Sequence, residues 1–143
     1  MSASRILVVD DEPAIVSFAT RVLTSAGYDV SSAPDAAEAL RIVEGQSTAF
    51  DLFVLDVMMP LMRGDELGRR LRQRDPNSKI LYFTGFSDRL FEQHPLLWED
   101  EAYVDKPVTV AGLLEAVSLL LFRHTRGPEG APQPVSNSQD PTL

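Results

Sequence analysis

Residues 52–60 read Leu52-Phe53-Val54-Leu55-Asp56-Val57-Met58-Met59-Pro60, four apolar residues running without interruption into an aspartate. Such a run suits a strand buried on both faces, as in a parallel sheet. Three more runs have a similar form. Ile6-Leu7-Val8-Val9 stops at Asp10-Asp11, Ile80-Leu81-Tyr82-Phe83 stops at Thr84, and Tyr103-Val104-Asp105 stops at Lys106-Pro107. If all four are parallel strands, three carboxylates, a hydroxyl and an ammonium converge on one sheet edge. Open α/β sheets bind ligands at that edge, outside the carboxyl ends of their strands.

The intervening sequence is helical in pattern. Pro13 to Ala26 places Ile15, Phe18, Ala19, Val22 and Leu23 on one face, and Gly27 follows as a stop. Asp35, with Glu38 three residues on, has the form of an N-cap and its reciprocal partner, opening a helix through Leu40 and Val43 to Gly45. A helix from about Gly64 to Asp75 ends before Pro76. A last one runs from about Thr109 to His124, with Leu113, Leu114, Val117, Leu120 and Leu121 inward.

Alternation of this kind predicts right-handed βαβ units, hence an α/β fold with a doubly wound five-stranded parallel sheet and helices on both faces. The second strand (Asp29 to Ala33) and the fifth (Ala102 to Asp105) are the more polar and fit the edges. The order 2-1-3-4-5 satisfies this and puts the crevice between strands one and three. Between strands four and five, Pro95 interrupts the pattern and leaves room for only a short or irregular fourth helix. From Arg126 the composition turns to Pro, Gly, Ser, Asn and Gln. The division is a domain over 1–125 and a disordered Pro-rich tail over 126–143.

Composition narrows the function. The chain has 143 residues, 44% of them hydrophobic, and no cysteine, which removes disulfide, thiolate and Cys-ligated metal chemistry. No stretch approaches the roughly 18 apolar residues of a membrane span, and nothing resembles a signal peptide. The expected location is the cytoplasm. A net charge of -8 argues against nucleic acid or an anionic membrane as a direct partner. Arg63, Arg69, Arg70, Arg72 and Arg74 read as a solvated helix face offset by Asp65, Glu66 and Asp75, or else as a docking patch for an acidic partner.

Clustered carboxylates repel unless a cation joins them, and all-oxygen ligation suits Mg²⁺. A carboxylate held beside such a cation can attack phosphorus and form an aspartyl phosphate. Positive charge and hydrogen-bond donors must then surround the phosphoryl oxygens. Lys106, the Thr84 hydroxyl, and backbone N–H groups after Asp56 and Thr84 (Val57, Met58 and Gly85) are the candidates. Other readings exist for single residues. Asp10 and Asp11 could cap the Pro13 helix, Tyr103 could be edge-strand packing, and His94 and His124 are assigned no chemistry.

With these residues in this order, the chain resembles a response-regulator receiver domain, the CheY-like phosphoacceptor of two-component signalling, over roughly residues 4 to 124. The resemblance implies that Asp56 is the phosphoacceptor. It implies Mg²⁺, with Mn²⁺ as a substitute, on Asp11, Asp56 and the Met58 carbonyl, with Asp10 acting largely through water. Thr84 and Lys106 would contact the phosphoryl group, Thr84 and Tyr103 would act as the switch, and Lys106-Pro107 would be a cis peptide. The donor would be a sensor histidine kinase or a histidine phosphotransfer protein. Output would pass through an unnamed downstream protein with no DNA-binding output domain, and the oligomeric state stays open. The chain would be a signalling phosphoacceptor in a phosphorelay rather than an enzyme.

Two alternatives belong to other classes. One is a haloacid-dehalogenase-like phosphohydrolase, whose nucleophile normally follows strand one in an Asp-x-Asp motif, whereas here strand one ends Asp10-Asp11-Glu12. The other is a pseudo-receiver that binds partners without being phosphorylated. The positions two after Asp56 and two after Thr84 are Met58 and Phe86, which flank the water path in the family. Neither can orient water, so slow autodephosphorylation is expected.

Overall fold

A computed structural model describes residues 3–47, 49–85 and 100–123. The elements are β1 (Arg5–Val9), α1 (Pro13–Ser25), β2 (Asp29–Ala33), α2 (Ala36–Gly45), β3 (Leu52–Asp56), α3 (Gly64–Arg74), β4 (Ile80–Thr84), β5 (Glu101–Asp105) and α4 (Val110–Arg123). The strands form one parallel sheet in the order β2-β1-β3-β4-β5. This is the doubly wound order that strand polarity predicts, with the least buried strands at the edges.

Alternation along the strands divides the core into two layers. Leu7, Val9, Phe53, Leu55, Ile80 and Tyr82 pack with Ala36, Ala39, Leu67 and Leu71 of α2 and α3. Ile6, Val8, Leu52, Val54, Leu81 and Phe83 pack with Ala19 and Leu23 of α1 and Leu113, Val117 and Leu120 of α4. Full burial of each large side chain contributes roughly 1.5–3 kcal/mol, so the central strands anchor the site at their ends.

Helix starts set the loops that frame the sheet edge. Pro13 opens α1, where its missing N–H costs nothing. Asp35 Oδ1 accepts the Glu38 N–H at 2.8 Å, and Thr109 Oγ1 accepts the Gly112 N–H at 3.0 Å. At α3 the Arg63 side chain makes no cap. The Gly64 N–H donates instead to the Val57 carbonyl at 2.9 Å. A Cβ at Gly64 would lie 2.0 Å from the Asp56 carbonyl oxygen, so only glycine lets α3 press this closely on β3. The connecting loop holds Leu61 at φ 72° with its side chain fully exposed, a left-handed conformation that is strained for a bulky residue.

β5 begins at Glu101, one residue before the apolar run, because Glu101 is in register with Ile80. Its carboxylate also accepts from Arg72 Nε at 2.9 Å. The arginine-rich stretch is offset by acids as its composition predicts: Arg69 and Arg70 pair with Glu66, and Arg63 with Asp65. Arg72 departs from a solvated face, since its side chain is largely buried against Glu101. The expected short fourth helix, Phe86, His94, His124 and the tail fall outside the described residues. Among the described residues no helix is long and apolar enough to cross a membrane.

Candidate functional site

The carboxyl ends of β1 and β3 lie side by side, with Val9 in register with Leu55. The residues that follow, Asp10 and Asp11 on one strand and Asp56 on the other, therefore meet. One carboxylate oxygen from each lies within 4.8 Å of the other two. Asp10 and Asp56 are buried, at 1% and 3% exposure, while Asp11 is exposed. Lys106, following β5, crosses the end of β4. Its Nζ is 3.2 Å from Asp10 Oδ2 and 3.4 Å from Asp56 Oδ1. The lysine stem thus reaches from the end of β5 past β4 to the carboxylates that follow β1 and end β3.

Electrostatics follow from this crowding. Burial pushes the Asp56 carboxyl up to about 7, the Asp10 charge pushes the same way, and Lys106 and the Met58 N–H pull back. Asp10 is also raised, by burial first, against the Glu12 N–H and Lys106. Burial alone would lower Lys106, but Asp10 and Asp56 more than offset it and the net shift is upward. One lysine does not neutralise the pocket. Asp10 Oδ2 is buried without a well-directed hydrogen bond. Three convergent carboxylates with such an oxygen are a donor set that fits a hard divalent cation.

The hydrogen-bond donors are distributed unequally. The Met58 N–H points at Asp56 Oδ1, 3.3 Å away. The Val57 N–H, a sequence candidate for phosphate contact, is engaged by the Phe83 carbonyl at 3.0 Å, because the ladder continues one residue past the apolar run. Thr84 is buried at the end of β4, opposite Asp105, and its carbonyl accepts the Lys106 N–H at 2.8 Å. The space beside Gly85 is open, with no atom within 4 Å of where a Cβ would sit. Tyr103 is half-buried against the α2–α3 layer. The Lys106–Pro107 peptide is cis. Capping explains part of Asp10 as well, since Oδ1 accepts the N–H of Glu12 at 2.9 Å.

Two neighbours escaped the sequence reading. Glu12 Oε1 lies 3.2 Å from Lys106 Nζ, and the run Asp10-Asp11-Glu12 was its signal. Arg63 donates from Nη1 to Met58 Sδ at 3.3 Å, a contact that no motif announces.

The family model described as "Response regulator receiver domain" matches residues 6–118. The chain belongs to the response regulator receiver domain family. This receiver domain is therefore a module of two-component signalling. It is 31% identical to "Response regulator receiver protein CpdR" of Brucella abortus, over 82% of this chain and 97% of that one. It is 32% identical to "Sensor kinase CckA" of the same organism, over 83% of this chain but only 13% of that protein. Other curated relatives are likewise longer: the receiver spans 52% of YrkP and 49% of PhoP from Bacillus subtilis. Among solved structures, a CheY-like receiver domain protein from Methanospirillum hungatei superposes with a TM-score of 0.75 at 31% identity, covering 87% of this chain and 98% of that one.

Proposed function

We propose that this receiver domain accepts a phosphoryl group on Asp56 from a phosphohistidine in a sensor kinase or phosphotransfer protein, and signals by protein contacts in the cytoplasm. The observation that carries the reading is a buried Asp56 with two further carboxylates within 4.8 Å and an ammonium at 3.4 Å. Likeness to a sensor kinase and to the receiver domain of the hybrid histidine kinase CckA supports the class of donor.

In this reading an Asp56 carboxylate oxygen bonds to phosphorus as the P–N bond breaks, and the imidazole keeps the electron pair. Asp10, Asp11, Asp56 and the Met58 carbonyl would hold Mg²⁺ or Mn²⁺, which when bound offsets the crowded negative charge. Lys106 is poised to move from the carboxylates to the phosphoryl oxygens, and the Thr84 hydroxyl and the N–H groups of Met58 and Gly85 supply further donors. Val57 N–H serves the sheet instead. Thr84, drawn toward the phosphoryl group, would clear space on β4 beside Tyr103 and so carry the change to the edge strand. The net charge of -8 favours protein over nucleic acid as the direct partner.

Incubation with acetyl phosphate and Mg²⁺, followed by intact mass, tests this. A stable gain of one phosphoryl group, abolished by Asp56→Asn, is expected. Turnover of phosphomonoesters would support a phosphohydrolase instead, and an unmodified protein would support a pseudo-receiver.

A further inference from the structure

Arg63 touches Met58, the second residue after Asp56, and phosphoacceptor chemistry leaves it without a task. It precedes Gly64, whose closeness to the Asp56 backbone fixes the first turn of α3 against the acceptor strand. Its guanidinium grips Asp65 with two nitrogens, Nε to Oδ1 at 2.9 Å and Nη2 to Oδ2 at 3.4 Å. The Asp65 side chain is only 11% exposed, so water competes little for this anchor. The remaining nitrogen, Nη1, reaches back to Met58 Sδ at 3.3 Å. Met58 in turn is tied by its own N–H to Asp56 Oδ1.

A thioether is a weak acceptor, so the Arg63–Met58 contact contributes little energy. Its consequence is geometric. Met58 is 41% exposed, and a flexible methionine at such a rim would sample several rotamers. We propose that Arg63 is a positioning residue: locked by Asp65, it holds the Met58 side chain at the mouth of the pocket and thereby slows hydrolysis of the phosphoryl group on Asp56. The inference rests on the phosphoacceptor reading above.

In that hydrolysis a water oxygen bonds to phosphorus while the bond from phosphorus to the Asp56 oxygen breaks. The electron pair stays on the carboxylate, and the water's proton leaves to solvent or with inorganic phosphate. In-line attack needs a water opposite the leaving oxygen. The methionine side chain offers that water no strong acceptor and occupies space at the entrance. Lysine cannot replace arginine here, because an ammonium lacks the planar fork that grips Asp65 while reaching Met58.

The test loads the full chain, Arg63→Ala, Arg63→Lys, Met58→Ala and the double variant Arg63→Ala/Met58→Ala with acetyl phosphate and Mg²⁺. Each is then desalted into Mg²⁺ buffer, and loss of phosphoryl mass is followed with time. Both Arg63 variants are expected to shorten the lifetime about three- to tenfold, which corresponds to a hydrolysis barrier lower by about 0.6–1.4 kcal/mol. The double variant should decay no faster than Met58→Ala, because the arginine acts through the methionine. A wild-type lifetime in Arg63→Lys would show that charge alone matters and overturn the proposal. So would an unchanged lifetime in Arg63→Ala, or additive effects in the double variant. Should Arg63→Ala fail to fold, Asp65→Asn releases the same lock and must shorten the lifetime. A wild-type protein that gains no phosphoryl mass would overturn the phosphoacceptor reading together with this one; a gain with unaltered decay overturns only the role of Arg63.

Discussion

Replacing Asp56 by asparagine should stabilise the metal-free protein above neutral pH, although it removes the central residue of the site. The folded state holds the Asp56 carboxyl at about 7 against an ordinary value of 3.8, through burial first and the Asp10 charge second. A carboxyl raised on folding binds its proton more tightly in the folded state. Its penalty is absent below the unfolded value, grows as the pH rises, and is complete above the folded value. At 1.36 kcal/mol per pH unit, the penalty reaches roughly 4 kcal/mol by pH 8. Asparagine keeps the shape and the acceptor for the Met58 N–H but forfeits the attraction to Lys106, 3.4 Å away. With that loss set against it, the expected gain at pH 8 is about 1–3 kcal/mol, or about 4–10 °C in Tm for a domain of this size. Denaturant and thermal melts in chelator at pH 4 and pH 8 measure it. The gain should vanish near pH 4, and added Mg²⁺ should stabilise the wild type more than the variant. An Asp56→Asn protein less stable than wild type at pH 8 without metal, or a difference independent of pH, would refute the reasoning.

Other substitutions probe the frame around the site. Gly64→Ala should cost about 1–3 kcal/mol by forcing α3 off the Asp56 carbonyl, and a chemical denaturation curve reads it directly. Leu61→Gly should add about 0.5–1 kcal/mol, since it relieves a left-handed backbone while removing a side chain that buries nothing; an unchanged or lower midpoint would contradict this. Lys106→Met should cost about 1–3 kcal/mol at pH 8 in chelator, because Asp10 and Asp56 lose the ammonium that lies 3.2 and 3.4 Å from them. That loss should shrink when Mg²⁺ is added, as a Tm series against metal concentration would show.

Much of the fold was legible because its signals are local and repeat. Uninterrupted apolar runs marked β1, β3 and β4, and the polar residues of β2 marked an edge. Asp35 and Glu38 announced the start of α2 by their spacing alone. The meeting of Asp10, Asp11 and Asp56 followed from strand order, since all three terminate neighbouring strands. Features that depend on side-chain reach or on one ladder bond were not legible. Val57 looked like a free donor because sequence does not say whether pairing continues past the last apolar residue. The Arg72–Glu101 pair joins residues on α3 and β5 whose approach only the folded sheet fixes. Arg63 looked like one charge among five, and nothing in the pattern distinguished the one that turns toward Met58.

Transfer of phosphate from histidine to Asp56 is best tested by mapping the modified residue after the transfer. A histidine-phosphorylated kinase or phosphotransfer domain, mixed with this receiver and Mg²⁺, should lose its label as the receiver gains it. Borohydride reduction and peptide mapping should then place the modification on Asp56 alone, with none when the metal is chelated or Asp56 is asparagine. Label on another residue, or none on the receiver with a donor shown competent toward a second receiver domain, would contradict the account.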